Sequence, residues 1–234
     1  MKKKLLIPVS IILIIIVICF IYLLTGNYKA SKDVLKYLES SDDVKVLEIK
    51  DGYYFDGPGE DSAIIFYPGA KVDYKAYSKL MYDIALNGKD TFLLKMPFNI
   101  AFFGANKARN IITEYKYDNW YLAGHSLGGV VANLYVSKNP NNIKGIIALA
   151  SYPTKKLPND IEYISIYGSN DKVLNRDKYE EAKKYLPDNY QEYKIEGGNH
   201  AYFGNYGEQK GDGKSSISRE EQQEEVLNIL FKEN

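Results

Sequence analysis

Trp120-Tyr121-Leu122-Ala123-Gly124-His125-Ser126-Leu127-Gly128-Gly129-Val130 is the stretch on which the fold turns. A short strand-like run, Trp120 to Ala123, meets a Gly-x-Ser-x-Gly pattern, and a helix-like run, Val130 to Ser137, leaves it. In that setting a sharp strand-to-helix turn holds the serine in a strained backbone conformation and lifts its Oγ clear of the sheet. Glycines stand two residues either side of Ser126 because side chains there would collide with the backbones the turn brings together. Five residues alone are a weak pattern, so the context must come from the rest of the chain.

Upstream, Ala63-Ile64-Ile65-Phe66-Tyr67 and Thr91 to Met96 are continuous apolar runs, as expected of strands buried on both faces. Between them Tyr74 to Leu86 has helical spacing and is closed by Asn87-Gly88. Ala105 to Tyr115 is a predicted helix. Downstream, Ile143 to Ala150, Ile161 to Tyr167 and Tyr190 to Ile195 read as strands, and Arg176 to Leu186 as a helix stopped by Pro187. Ser218-Arg219-Glu220-Glu221 is a capping box ahead of a closing helix. Val44 to Ile49 and Tyr53 to Phe55, either side of Asp51-Gly52, predict a hairpin at the sheet edge. Strands alternating with helices imply an α/β fold: a doubly wound, mostly parallel sheet with an antiparallel N-terminal hairpin. Gly207 to Ser216, polar and glycine-rich, reads as a flexible loop.

A serine hydroxyl needs a base to take its proton, and the base needs a third group to fix its tautomer. In a doubly wound sheet such groups collect at the carboxyl ends of the strands. The chain has two histidines. His125, inside the turn, is poorly placed to serve its neighbour, whereas His200 follows the last strand in Gly197-Gly198-Asn199-His200. Asp171 follows the Ile161–Tyr167 strand, one strand earlier, while Asp160 and Glu162 fall at the wrong end of that strand. The predicted triad is therefore Ser126, Asp171 and His200. An oxyanion hole needs two backbone N–H groups. Leu127, at a helix N-terminus, supplies one and Ala70 the other, with Gly69 as the alternate in Pro68-Gly69-Ala70. Aromatic residues at the strand ends, Phe98, Tyr152 and Tyr202, are candidates for the substrate wall.

With the Gly124–Gly129 turn, Asp171 before Lys172-Val173, and His200 closing Gly-Gly-Asn-His, the chain resembles the α/β-hydrolase superfamily over roughly Val44 to Lys232. Tyr67-Pro68-Gly69-Ala70, Lys95-Met96-Pro97-Phe98-Asn99 and Gly198-Asn199-His200-Ala201-Tyr202-Phe203-Gly204 resemble a branch of small bacterial members related to the dienelactone-hydrolase type. The resemblance implies cofactor-free hydrolysis of an ester or related acyl substrate. The chain lacks the His-Gly-Gly-Gly of many lipases, and its nucleophile is serine where dienelactone hydrolase uses cysteine. Only Ser151 to Asp160 separates two strands where relatives commonly insert a lid, so no large lid is expected. The same triad also serves acyltransferases and peptidases, and a cell-surface binding protein could keep the scaffold without the chemistry.

Met1-Lys2-Lys3-Lys4 precedes an apolar run from Leu5 to Leu24, long enough to cross a hydrocarbon core of roughly 30 Å. No Ala-x-Ala precedes Thr25-Gly26-Asn27, so an uncleaved signal anchor is favoured over a cleaved signal peptide. The lysines put the N-terminus in the cytoplasm and the domain outside. The expected organisation is an anchor over 1–26, a juxtamembrane spacer over 27–42 and one hydrolase domain over 43–234. Thirty basic residues balance thirty acidic ones, which gives no electrostatic case for nucleic acid. A lone cysteine, Cys19, excludes an intramolecular disulfide, and two histidines without metal-ligand spacing argue against a metal site. The 22 tyrosines are unusual and are open to two readings, a substrate groove or compositional drift.

Overall fold

Alternation along each strand decides which side chain enters which layer, and β3 (Ser62–Tyr67) shows it residue by residue. Ile64 and Phe66 face one layer, with Tyr77, Leu80, Met81, Ile84 and Val226. Ala63, Ile65 and Tyr67 face the other, with Ala108, Ile111, Val131, Ala132 and Val136. A strand that must be apolar on both sides reads as an unbroken hydrophobic run, which is why this one stood out in the sequence.

The computed structural model describes residues 25–231 together with Ile14. The other strands are β1 (Lys45–Ile49), β2 (Gly52–Asp56), β4 (Asp90–Leu94), β5 (Asn119–His125), β6 (Ile143–Leu149), β7 (Glu162–Gly168) and β8 (Gln191–Ile195). They form one sheet in the order β1-β2-β4-β3-β5-β6-β7-β8. The pairs β1–β2 and β2–β4 are antiparallel, and every pair from β4 to β8 is parallel. The predicted doubly wound sheet with an antiparallel hairpin at its edge is thus present. Among the described residues five α-helices connect or flank the strands: α1 (Ser78–Leu86), α2 (Lys107–Glu114), α3 (Leu127–Lys138), α4 (Arg176–Ala182) and α5 (Arg219–Leu230). The Ser218 hydroxyl and the Glu221 carboxylate close the predicted capping box of α5.

Among the described residues no helix is long and apolar enough to cross a membrane. The predicted anchor over residues 5–24 lies outside the described residues, apart from Ile14. Residues 27–42, read as a spacer, are packed onto the domain. Tyr28 N–H donates to the Lys71 carbonyl at 2.7 Å and its own carbonyl accepts from Asp73 N–H at 2.9 Å. A 3-10 helix, Lys32–Leu38, buries Val34, whose carbonyl accepts from Ser78 Oγ at 2.8 Å. Only twelve residues, 150–161, link β6 to β7, with no inserted lid.

The tyrosines largely answer to the core. Tyr54, Tyr67, Tyr77, Tyr163 and Tyr179 are buried. Most carry the hydroxyl to a partner: Tyr54 to Asp90 at 2.9 Å, Tyr67 to the Ala105 carbonyl at 2.8 Å, Tyr179 to Glu192 at 2.8 Å. Burying a ring while satisfying its hydroxyl lets a large apolar side chain also act as a tie between elements.

Candidate active site

At the end of β5 the chain reverses into α3 through Ser126, whose φ of 53° and ψ of −123° are costly for a residue with a Cβ. The turn is held on both sides. Ser126 N–H donates to the Leu149 carbonyl at 2.9 Å, and Ser151 Oγ donates to the Ser126 carbonyl at 2.8 Å. The glycines are required by contact. A Cβ on Gly124 would lie 2.5 Å from the Gly128 carbonyl carbon, and one on Gly128 would lie 2.0 Å from the Tyr67 carbonyl oxygen.

Because β5, β6, β7 and β8 are parallel neighbours, the loops that follow them emerge at one end of the sheet. Asp171 leaves β7 and His200 leaves β8, and both are buried. His200 Nδ1 lies 2.8 Å from Asp171 Oδ2. A carboxylate only accepts, so Nδ1 carries the proton shared with Asp171. Asp171 Oδ1 accepts from Val173 N–H and Leu174 N–H, both at 2.8 Å, which fixes the carboxylate plane.

Ser126 and His200 line the same cavity, of about 210 Å³, with Leu127, Ser151, Tyr152 and Leu174. Of the three aromatic residues predicted for the substrate wall, Tyr152 belongs to this cavity. Tyr202 instead stacks under the Arg219 guanidinium, 4.5 Å from its ring centre. Phe98 is exposed on the loop after β4. Among the described residues no hydrogen bond yet joins Ser126 Oγ to His200. A larger cavity of about 500 Å³ between β8 and α5 holds neither Ser126 nor His200, and size alone does not locate the chemistry.

The Pro68–Ala70 loop, predicted to supply an oxyanion donor, and His125 are joined by a hydrogen-bonded pair that sequence reasoning did not foresee. Tyr77 OH accepts from Gly69 N–H at 3.2 Å and lies 2.8 Å from His125 Nδ1. Burial holds the Tyr77 hydroxyl well above the ordinary phenol range, so the phenol keeps its proton. The same burial, followed by the neighbouring His200, pushes His125 well below the ordinary imidazole value. Its ring centre is 4.5 Å from that of His200. His125 is therefore a neutral, buried ring packed against that of His200.

Two further supports were also not foreseen. Gln222 of α5 is buried, accepts from Asn199 N–H at 2.9 Å and donates to the Asn199 carbonyl at 2.8 Å. Asp212, in the stretch read as a flexible loop, accepts from Ala201 N–H at 2.9 Å and Lys172 N–H at 3.3 Å. The Gly207–Ser216 segment thus braces both the Asp171 and His200 loops, and is not loose at its centre. No local pattern marks a glutamine or aspartate for such a task.

A doubly wound sheet carrying a strained serine between its central strand and the following helix defines an α/β protein of the hydrolase kind. Residues 63–224 match the model of the alpha/beta hydrolase family. The chain belongs to that family. No curated protein matches it significantly. Among solved structures it is similar to MGS-MChE2, an alpha/beta hydrolase enzyme from a sediment metagenome of the Mar Chica lagoon, Morocco. The TM-score is 0.59 at 19% identity, covering 81% of this chain and 96% of that one. It is also similar to a predicted CIB-like hydrolase from Thermoplasma acidophilum, with a TM-score of 0.58 at 15% identity over 80% and 98% of the two chains. Carboxylesterase CesB from Bacillus subtilis gives a TM-score of 0.55 at 8% identity over 86% and 96%. Likeness at such identities speaks for the fold alone.

Proposed function

We propose that the protein is a serine hydrolase that cleaves an ester or related acyl bond through an acyl-enzyme. The observation that carries this reading is that Ser126 and His200 line one cavity while His200 Nδ1 is held 2.8 Å from the buried Asp171 carboxylate. Ser126 Oγ attacks the acyl carbonyl and forms the new C–O bond as its proton passes to His200 Nε2. Collapse of the tetrahedral adduct breaks the bond to the leaving alcohol, which departs with that proton. Water then repeats the sequence and frees the acid, with no other co-reactant. Asp171 holds the ring in the reactive tautomer and stabilises the imidazolium. Hydrogen bonds of this kind are commonly loose before substrate binds, in keeping with the open Ser126–His200 contact.

The oxyanion donors are Leu127 N–H and Ala70 N–H. Gly69 N–H is committed to Tyr77, which favours Ala70 over its neighbour. A carboxylesterase among the structural neighbours adds a precedent on this fold, though not a substrate. We further propose that residues 5–24 anchor the chain and leave the domain outside the cytoplasm, a reading supported by the length of the apolar run and the three lysines before it. A fluorophosphonate probe tests the nucleophile. The wild-type chain should be labelled and Ser126→Ala should not. An unlabelled wild type, or a labelled variant, refutes the assignment.

A further inference from the structure

Three exposed phenylalanines crowd one short segment after β4, at the carboxyl end of the parallel strands where the site lies. Phe98, Phe102 and Phe103 are 42%, 50% and 56% exposed. Two 3-10 turns, Pro97–Asn99 and Ala101–Gly104, carry them, and the Phe98 and Phe103 rings meet edge to face with centres 5.8 Å apart. Phe98 (φ 54°) and Asn99 (φ 52°) are both left-handed, a conformation that residues with a Cβ adopt at a cost. Strain and exposed aromatic area together mark a surface built for contact.

The segment is tied to the oxyanion loop, and that loop is tied to the start of the domain. Lys71 follows Ala70, and its N–H donates to the Asn99 carbonyl at 2.7 Å. Its Nζ donates to the Thr25 carbonyl at 2.9 Å, and its own carbonyl accepts from Tyr28 N–H at 2.7 Å. Thr25 is the residue that follows the apolar run Leu5–Leu24. If that run spans, Thr25 sits at headgroup depth, and the oxyanion loop and the phenylalanines sit there with it, with no free linker between. Aromatic rings are favoured at that depth.

We propose that the Phe98–Phe103 segment rests in the outer interface of the bilayer that residues 5–24 span, and that the Ser126 cavity draws its substrate from it, namely the acyl ester of a membrane-embedded amphiphile. The substrate half rests on the serine-hydrolase reading, and the docking half on the anchor reading of residues 5–24 alone. A bilayer-borne ester needs no lid to concentrate it, because the anchor already holds the site at the surface where such carbonyls lie.

Trp120 is the single tryptophan, buried at the amino end of β5, so a second one reports cleanly. Full-length Phe102→Trp in vesicles of phosphatidylcholine with brominated acyl chains should emit to the blue and be quenched. Leu86→Trp, at the far end of α1 just before β4, should not be quenched. Equal quenching at both positions, or none at 102, overturns the docking. A blue-shifted but unquenched tryptophan at 102 means that protein covers the segment, either residues 5–24 or a second copy, and overturns it too. For the substrate, Phe102→Ser/Phe103→Ser should lose about tenfold on a long-chain ester embedded in phosphatidylcholine vesicles while keeping its rate on soluble p-nitrophenyl acetate. Equal loss on both esters, or none on either, sinks the substrate assignment. Wild type inert to both esters, with quenching intact, refutes the ester chemistry and leaves the docking standing.

Discussion

Ser126 stands on a backbone that only a tight turn can enforce, and the two partners proposed for it come from loops 45 and 74 residues later in sequence. Asp171→Asn removes the acceptor that sets the His200 tautomer, and kcat should fall by about 10⁴ with the fold intact. Steady-state kinetics on a short ester check this, and a near-wild-type rate would move the role elsewhere. His125 yields a pH prediction. Its folded-state value lies well below the unfolded value of 6.5, so below pH 6.5 the unfolded chain binds the proton and the folded chain does not. Stability is therefore full above the unfolded value and is lost as pH falls from it toward the folded value. Urea midpoints between pH 7.5 and about 5 should fall more steeply for wild type than for His125→Gln, and parallel slopes would show that His125 is not the group responsible. The position of His200 after a strand, with one rival histidine, was readable in sequence. The Tyr77–His125 contact was not, because it joins residues 48 apart across two elements and neither carries a local mark of it.

At the scale of elements, strands were the most legible, since a strand covered on both faces must be apolar throughout. All eight were foreseen, with ends shifted by a few residues. Helix starts were less clear. Tyr74–Tyr77 is a 3-10 turn ahead of α1, and the apolar spacing does not separate the two helix types. The Gly207–Ser216 loop misled because glycine and polar residues serve mobile loops and tightly bonded ones alike. Two predictions belong here. Gly128→Ala drives a Cβ to 2.0 Å from the Tyr67 carbonyl, where neither β3 nor α3 can yield without losing its packing. It should cost about 3 kcal/mol or more, read as a lowered Tm. Gln222→Ala leaves Asn199 N–H and its carbonyl without their partner in a buried loop. As a positioning residue it should lower kcat with KM little changed, and Gln222→Glu should recover part of the rate by restoring the acceptor. An equal rise in KM would point to general loosening instead.

For the whole molecule, the sheet places every proposed group at one end and the packed N-terminal segment, residues 25–42, beside it. The apolar run before Thr25 carries the proposal of an anchor, whereas the docking of Tyr28 on Val72 had no signal in the sequence, since a single bridge leaves no periodic trace. Full-length protein should sediment with membranes and resist alkaline carbonate. Ile12→Asp/Ile15→Asp, which charges the middle of the run at a cost of about 5–7 kcal/mol for insertion, should shift it to the supernatant. Retention of the double variant would show that the run is not what holds the protein to the membrane.

The Thr25–Lys71 and Tyr28–Val72 contacts have a mechanical side. Tension arriving along the N-terminal segment is borne first by Lys71 and Val72, and only afterwards by the sheet. The element that takes up this load is next in sequence to Ala70. If residues 5–24 are the proposed tether, a pull on it would tug the rim of the proposed site, and the domain could not swing free without unfastening the loop that holds Ala70.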